Sequence, residues 1–152
     1  MKKQIVLFAL LLSVLALAGC GEQVSTASFH GEHEYFAVSG GSIALDGQEV
    51  TFDGGSLEIT QPDAFGAVTS YTATFYLLTD DGENAFLSSS RSDKTGAATP
   101  IGRSLGKVSG EGIFGSDVRN VEDLAEKLWF ELKTTEQDGA ESVYRIRLTV
   151  TE

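Results

Sequence analysis

The chain has 152 residues, with 11 Lys and Arg against 22 Asp and Glu, a formal charge of −11 and one cysteine. That length suits one domain and is short for two, and so acidic a body is repelled by phosphate backbones, which argues against nucleic acid as a partner. A single cysteine excludes an internal disulfide, so burial of apolar surface must stabilise the fold.

Lys2 and Lys3 precede an apolar run from Ile5 to Ala18 that is broken only by Ser13. At about 14 residues the run is shorter than the roughly 20 a spanning helix needs, and the small residues Ala18 and Gly19 follow it, which is the layout of a secretory signal peptide. The closing Leu17-Ala18-Gly19-Cys20 resembles the lipobox of bacterial lipoproteins. The resemblance covers residues 1–20 alone. It implies that residues 1–19 are removed and that Cys20 becomes the first residue, thioether-linked to a diacylglycerol. It also implies export and attachment to the outer face of the cell membrane or, in a host with two membranes, to either membrane on the periplasmic side. Two acyl chains hold a protein stably where one does not. Loss of Lys2 and Lys3 leaves 9 basic residues against 22 acidic ones, a net −13. No cofactor is expected beyond the diacylglycerol.

Residues 20–33, lipidated at Cys20 and then reading GEQVSTASFHGEH, are polar and lack apolar periodicity, and predict a flexible tether before a domain at 34–152. Within that domain, Glu34 to Val38, Ser42 to Leu45, Gln48 to Phe52 and Ser56 to Thr60 read as strands. They are separated by Gly40-Gly41, Asp46-Gly47, Asp53-Gly54-Gly55 and Pro62. Thr69 to Thr79, with Tyr71, Ala73, Phe75 and Leu77 on one face, predicts a central strand that turns at Asp80-Asp81-Gly82 toward Ala85 to Ser90. The pattern lapses from Ser88 to Gly112, where a long loop or frayed strands are expected, with part of Lys107 to Phe114 extended. Asn120 predicts a cap for a short helix from Val121 to Glu126. A strand from Lys127 to Thr135, the turn Gln137-Asp138-Gly139, and a strand from Ser142 to Thr151 follow. In the last strand Tyr144, Ile146, Leu148 and Val150 point inward, and Glu131 is positioned to face Arg145 or Arg147 across the hairpin. Short strands at regular spacing between turn residues predict an all-β fold, a small antiparallel β-sandwich of immunoglobulin-like or related topology, with a small β-barrel as runner-up.

Chemistry-bearing residues are sparse. His30, Glu32, His33 and Glu34 set four ligand types within five residues, but the spacing matches no zinc framework and a solvated acidic linker accounts for it. Asp80, Asp81, Glu83 and Asn84 crowd oxygens into one turn without the spacing of an EF-hand loop. The metal expectation is therefore none, with His30, His33, Asp80 and Asp81 as weak candidates. Ser104-Leu105-Gly106-Lys107 and Lys94-Thr95-Gly96 match two motifs of penicillin-recognising serine enzymes, but in the wrong order and in too short a chain. Tyr76 and Trp129 fall on faces opposite Phe75 and Phe130 and would make an aromatic platform for a sugar if exposed. Ser88 to Gly110 carries Arg91, Lys94, Arg103 and Lys107 against Asp93 alone, a basic segment suited to an anionic partner.

The sequence thus supports a membrane-anchored lipoprotein whose domain binds or interacts in the cell envelope, with an envelope protein or a wall polymer as partner and no catalytic residues. The alternatives are a structural envelope protein and, less favoured, a carboxylate-dependent hydrolase, which would need two carboxylates facing each other across a cleft.

Overall fold

The structure, a computed structural model, describes residues 24–93, 95 and 100–152. The lipobox residues Leu17, Ala18, Gly19 and Cys20, and Lys94 of the basic segment, lie outside the described residues. The chain forms β1 (Ser25–Glu32), β2 (Phe36–Asp46), β3 (Glu49–Asp53), β4 (Ser56–Ile59), β5 (Val68–Thr79), β6 (Gly82–Ser92), β7 (Lys107–Glu111), β8 (Leu128–Glu136), β9 (Glu141–Arg147) and β10 (Thr149–Thr151). One antiparallel sheet runs β10-β1-β2-β3-β7, with β4 also paired to β2, and the second runs β6-β5-β8-β9. The two sheets face each other across one core as an open sandwich and do not close into a barrel.

The segment expected to be a tether is largely strand β1, an inner strand between β10 and β2. Its alternation is real but muted, because only Phe29 among its inward positions is large. Ala27, Phe29 and Gly31 are buried, whereas Ser28, His30 and Glu32 are exposed. Phe29 pairs with Gly41 of β2, and a Cβ on Gly41 would lie 2.1 Å from the Phe29 ring, so the glycine gives the ring its space. The ring uses that space to stack on Phe52 at 5.0 Å between centroids and to meet Phe75 of the opposite sheet edge-on at 5.8 Å. Gly40-Gly41, expected as a turn, therefore lies inside β2. Gly40 takes φ +67° where the β1–β2 register slips, a conformation that suits glycine at a bulge.

The expected central strand is β5, flanked by β6 and β8, with Tyr71, Ala73, Phe75 and Leu77 buried. Phe75, Phe130 and Ile146 form one cross-strand row, and Arg145 Nε donates to Glu131 Oε2 at 2.7 Å across the β8–β9 hairpin. The expected helix is a 3-10 turn over Val121–Leu124. Asn120 accepts from the Asp123 amide and Asp123 accepts from the Asn120 amide, a reciprocal cap. The lapse expected from Ser88 begins later, because β6 continues to Ser92 and β7 resumes at Lys107. The last expected strand is two. At Leu148, whose N–H donates to the Leu128 carbonyl at 2.9 Å, the chain leaves the second sheet and joins the first.

The sandwich has two distinct ends. At the near end β1 begins at Ser25, whose Oγ accepts from the Val121 amide, and the Lys127 carbonyl accepts from Leu78, just before the Asp80-Asp81 turn. At the far end β1 finishes, His33 meets Tyr144 of β9 at 5.4 Å, and Gln137 donates to the Ala67 carbonyl beside the start of β5. Thus β6 starts at the near end and finishes at the far end.

If β1 is part of the core, Phe29→Ala costs about 3 to 5 kcal/mol of unfolding free energy, while His30→Ala, on the outer face, stays within about 0.5 kcal/mol. Urea unfolding of the chain from Gly21 onward measures both, and equal small losses would restore the tether.

Candidate functional site

Of the basic segment, the structure describes Arg91, Arg103 and Lys107, and it separates their roles. Lys107 opens β7 opposite Asp53, and its Nζ sits 2.7 Å from Asp53 Oδ2. Asp53 Oδ1 also accepts from the Gly55 amide at 3.0 Å. The hydrogen bond from Lys107, then that from Gly55, hold the Asp53 carboxyl below the usual carboxylate range. Lys107 is thus already paired, although its side chain remains 76% exposed, so its charge is less available to an anionic partner than that of an unpaired arginine. Among the described residues Arg91 and Arg103 have no ion pair.

Arg103 lines a groove of about 690 Å³ together with Leu57, Ile59, Phe65, Ile101 and the carboxylate Glu58. The 3-10 turn Pro62–Phe65 returns Phe65 to the core edge, and Pro62 at its first turn has the fixed φ that such a start favours. On the other side, Gly102 donates to the Tyr71 hydroxyl at 2.8 Å and the Leu57 amide donates to the Arg103 carbonyl at 2.7 Å, which fixes the segment carrying Arg103. The groove therefore combines an apolar lining with one cation and one anion at its rim.

Arg91 lies near the end of β6, opposite Tyr71, and lines a second groove of about 300 Å³ with hydroxyls from Ser70, Thr72, Ser90 and Thr135. Thr72 and Ser90 hydroxyls are 2.8 Å apart, and Thr74 and Ser88 hydroxyls 3.1 Å, forming a polar ladder across β5 and β6. Lys133 in this groove is paired to Glu141 at 3.0 Å, and Arg91, which alternates to the opposite face of β6 from Ser90, borders the groove without an ion pair among the described residues. Each groove is lined by one carboxylate, Glu58 in the first and Glu141 in the second.

The other sequence candidates do not converge. His30 projects from the exposed face of β1 opposite Thr149. His33 stacks on Phe36 at 4.9 Å, and its Nδ1 accepts from the Tyr35 amide at 3.3 Å. The pair read as part of an acidic linker thus belongs to a strand and to an aromatic cluster. Asp80 and Asp81 are the two residues of the β5–β6 turn, and the neighbouring Glu83 is engaged by Arg145 at 2.9 Å. Among the described residues no three His, Cys, Asp or Glu side chains are grouped to hold a metal ion. The Tyr76 and Trp129 rings do stack, at 6.4 Å, but Tyr76 is 4% exposed and covered by Arg145, whose guanidinium lies 5.7 Å from the ring centre. Burial pushes the Tyr76 hydroxyl pKa up. The expected platform is accordingly closed by an arginine that Glu131 and Glu83 both hold.

What sequence reasoning missed is the larger groove, whose apolar side chains come from β4, the Pro62 turn and Ile101. The available signal was Phe65 and Ile101 standing alone in polar surroundings. Compared with known proteins, the chain matches no family model, no curated protein and no solved structure. Among the described residues no helix is long and apolar enough to cross a membrane.

Asp53 and Asp123 both ionise below their ordinary value, Asp123 through the amides of Arg119 and Asn120. A carboxyl depressed in the folded state stabilises above its unfolded pKa, about 3.9, and that contribution is lost as pH falls through the lower folded value. Between about pH 5 and about pH 2.5 the urea midpoint should therefore fall less steeply in Asp53→Asn and Asp123→Asn than in the parent chain. Parallel curves would show that neither interaction contributes.

Proposed function

We propose that this chain is a bacterial lipoprotein held to the membrane through Cys20, whose β-sandwich is a non-catalytic binding module for an anionic partner in the cell envelope. The observation that carries the reading is the distance from Cys20 to the fold. Strand β1 begins at Ser25, so only residues 21–24 separate a lipidated cysteine from the sandwich, and five residue steps span at most about 18 Å. An anchor there keeps the near end at the bilayer. That end carries Asp46, Glu49, Asp80, Asp81, Glu122 and Asp123 against Arg119 and Lys127, a net acidic set that an anionic lipid surface repels. The far end, with Arg103 in its apolar groove and Arg91 in its hydroxyl groove, is then turned outward. This geometry favours a partner in the envelope space over the lipid surface itself, and among the described residues it favours Arg91 and Arg103 as contacts, with Lys94 retained beside them.

Two measurements test the reading. Replacing Cys20 by Ala should release the protein from the membrane fraction and leave the precursor unprocessed; sedimentation with membranes as before removes the anchor. Arg91→Ser with Arg103→Ser should weaken binding to purified anionic wall polymer at low salt, where the Debye length is about 30 Å, and all binding should fade toward 1 M salt, where it is about 3 Å. Lys107→Ser should leave binding nearly unchanged, because Asp53 already occupies that ammonium. Equal loss from Lys107→Ser would refute the division of roles.

A further inference from the structure

Sheet edges expose unpaired N–H and C=O groups, and proteins protect them by keeping edge strands short or by placing charges on them. In the first sheet the outer strands are β10 with 3 residues, β7 with 5 and β4 with 4. In the second, β9 carries Glu141, Arg145 and Arg147 and passes directly into β10. Strand β6 is different. It has 11 residues and pairs with β5 alone, and from Asn84 to Ser90 it contains neither a charge nor a proline. A register slip opposite Phe75 and Tyr76 bends its first half, but from Leu87 to Ser92 the pairing with β5 is unbroken. Among the described residues no segment hydrogen-bonds to the other side of this stretch.

We propose that β6, over Leu87 to Ser92, receives an extended segment of another polypeptide as a fifth strand of the second sheet, with an acidic side chain of that segment against Arg91. Backbone hydrogen bonds along the edge supply attachment, and the alternating side chains supply selectivity. One face of the edge presents Ser88, Ser90 and Ser92, two of them already tied to Thr74 and Thr72, so small or hydroxyl-bearing residues fit beside it. The other face presents half-buried Leu87, then Ser89, then Arg91, which asks for an apolar residue at one end and a carboxylate at the other.

A second copy of the same edge is the poorer occupant, an exclusion that rests on the anchoring proposed above. Antiparallel pairing of two β6 strands would point the two near ends in opposite directions, whereas lipidated copies on one bilayer have both near ends at that surface. Parallel pairing would bring the two Arg91 guanidinium groups to the same height.

The test uses the protein as the cell processes it, purified from expression of the full chain, and a random dodecapeptide library. Selected peptides should slow amide hydrogen exchange from Leu87 to Ser92 and carry an acidic residue, and Arg91→Glu should switch selection to basic peptides. N-methylation of every second peptide residue, the set whose N–H faces β6, should weaken binding at least about tenfold, while methylating the intervening set should not. The proposal is overturned if no peptide is selected, if protection falls elsewhere, or if both methylated sets bind alike. It is also overturned if the edge becomes protected without peptide as protein concentration rises. Membrane fractionation of the Cys20→Ala protein tests the anchor separately, so failure of one reading is not mistaken for failure of the other.

Discussion

The contact on which the sandwich depends is the meeting of Phe29, Phe52, Phe75 and Phe130 between its two sheets. Phe52 meets Phe75 edge-on at 4.9 Å and Phe75 meets Phe130 at 5.0 Å, so rings from β1, β3, β5 and β8 form one continuous set. Aromatic pairs in such geometries add about 0.5 to 1.5 kcal/mol beyond their buried area, and all four rings are buried. The set is possible because Gly41 has no side chain. Any Cβ there would enter the Phe29 ring and push β1 away from its partners.

Around that core the two long sides are finished differently. On one side the chain itself closes the gap, because β9 passes at Leu148 into β10 and becomes the neighbour of β1. Gly31 lies beneath this crossing, where a Cβ would sit 2.7 Å from Leu148 Cδ2 and 3.0 Å from Ile146 Cδ1, so the two side chains close over the bare backbone. On the other side β6 and β7 are both outermost, and the connection between them carries Arg103. Phe86 and Phe114 seal the core beneath them, meeting at 4.9 Å, so this side is open in its backbone while its apolar interior is closed. The contrast fits the placement of Arg91 and Arg103, neither of which has an ion pair among the described residues: that side is built from connection and edge, and little there competes for their charge.

Much of this was legible in the sequence where alternation was strong. Strand β5, the β8–β9 hairpin with Glu131 facing Arg145, and the cap at Asn120 follow from period and turn chemistry. Strand β1 was obscured because two of its three inward residues are Ala27 and Gly31, so its buried face resembles a polar linker. Gly40-Gly41 looked like a turn because the same residues that reverse a chain also make room for a ring. The crossing at Leu148 leaves no mark, since Ile146, Leu148 and Val150 face the core in whichever sheet they lie. At the site, the basic segment could be named, but the pairing of its Lys107 with Asp53 could not, because Asp53 reaches it only through the β3–β7 pairing. The apolar groove joins side chains from three separate segments, which no local pattern links.

The place of β1 between two neighbours also sets how the molecule carries tension. In the anchored reading proposed above, a pull along the length of β1 would meet its bonds to β2 and β10, which lie across that direction. They are therefore loaded together, in shear, where a strand peeled from an edge would lose them one at a time. A partner held at the far end would draw on the same rows of bonds and on the ring of Phe29 seated over Gly41. The inner position that makes β1 hard to read makes it a suitable strand by which to hold a domain against a moving surface.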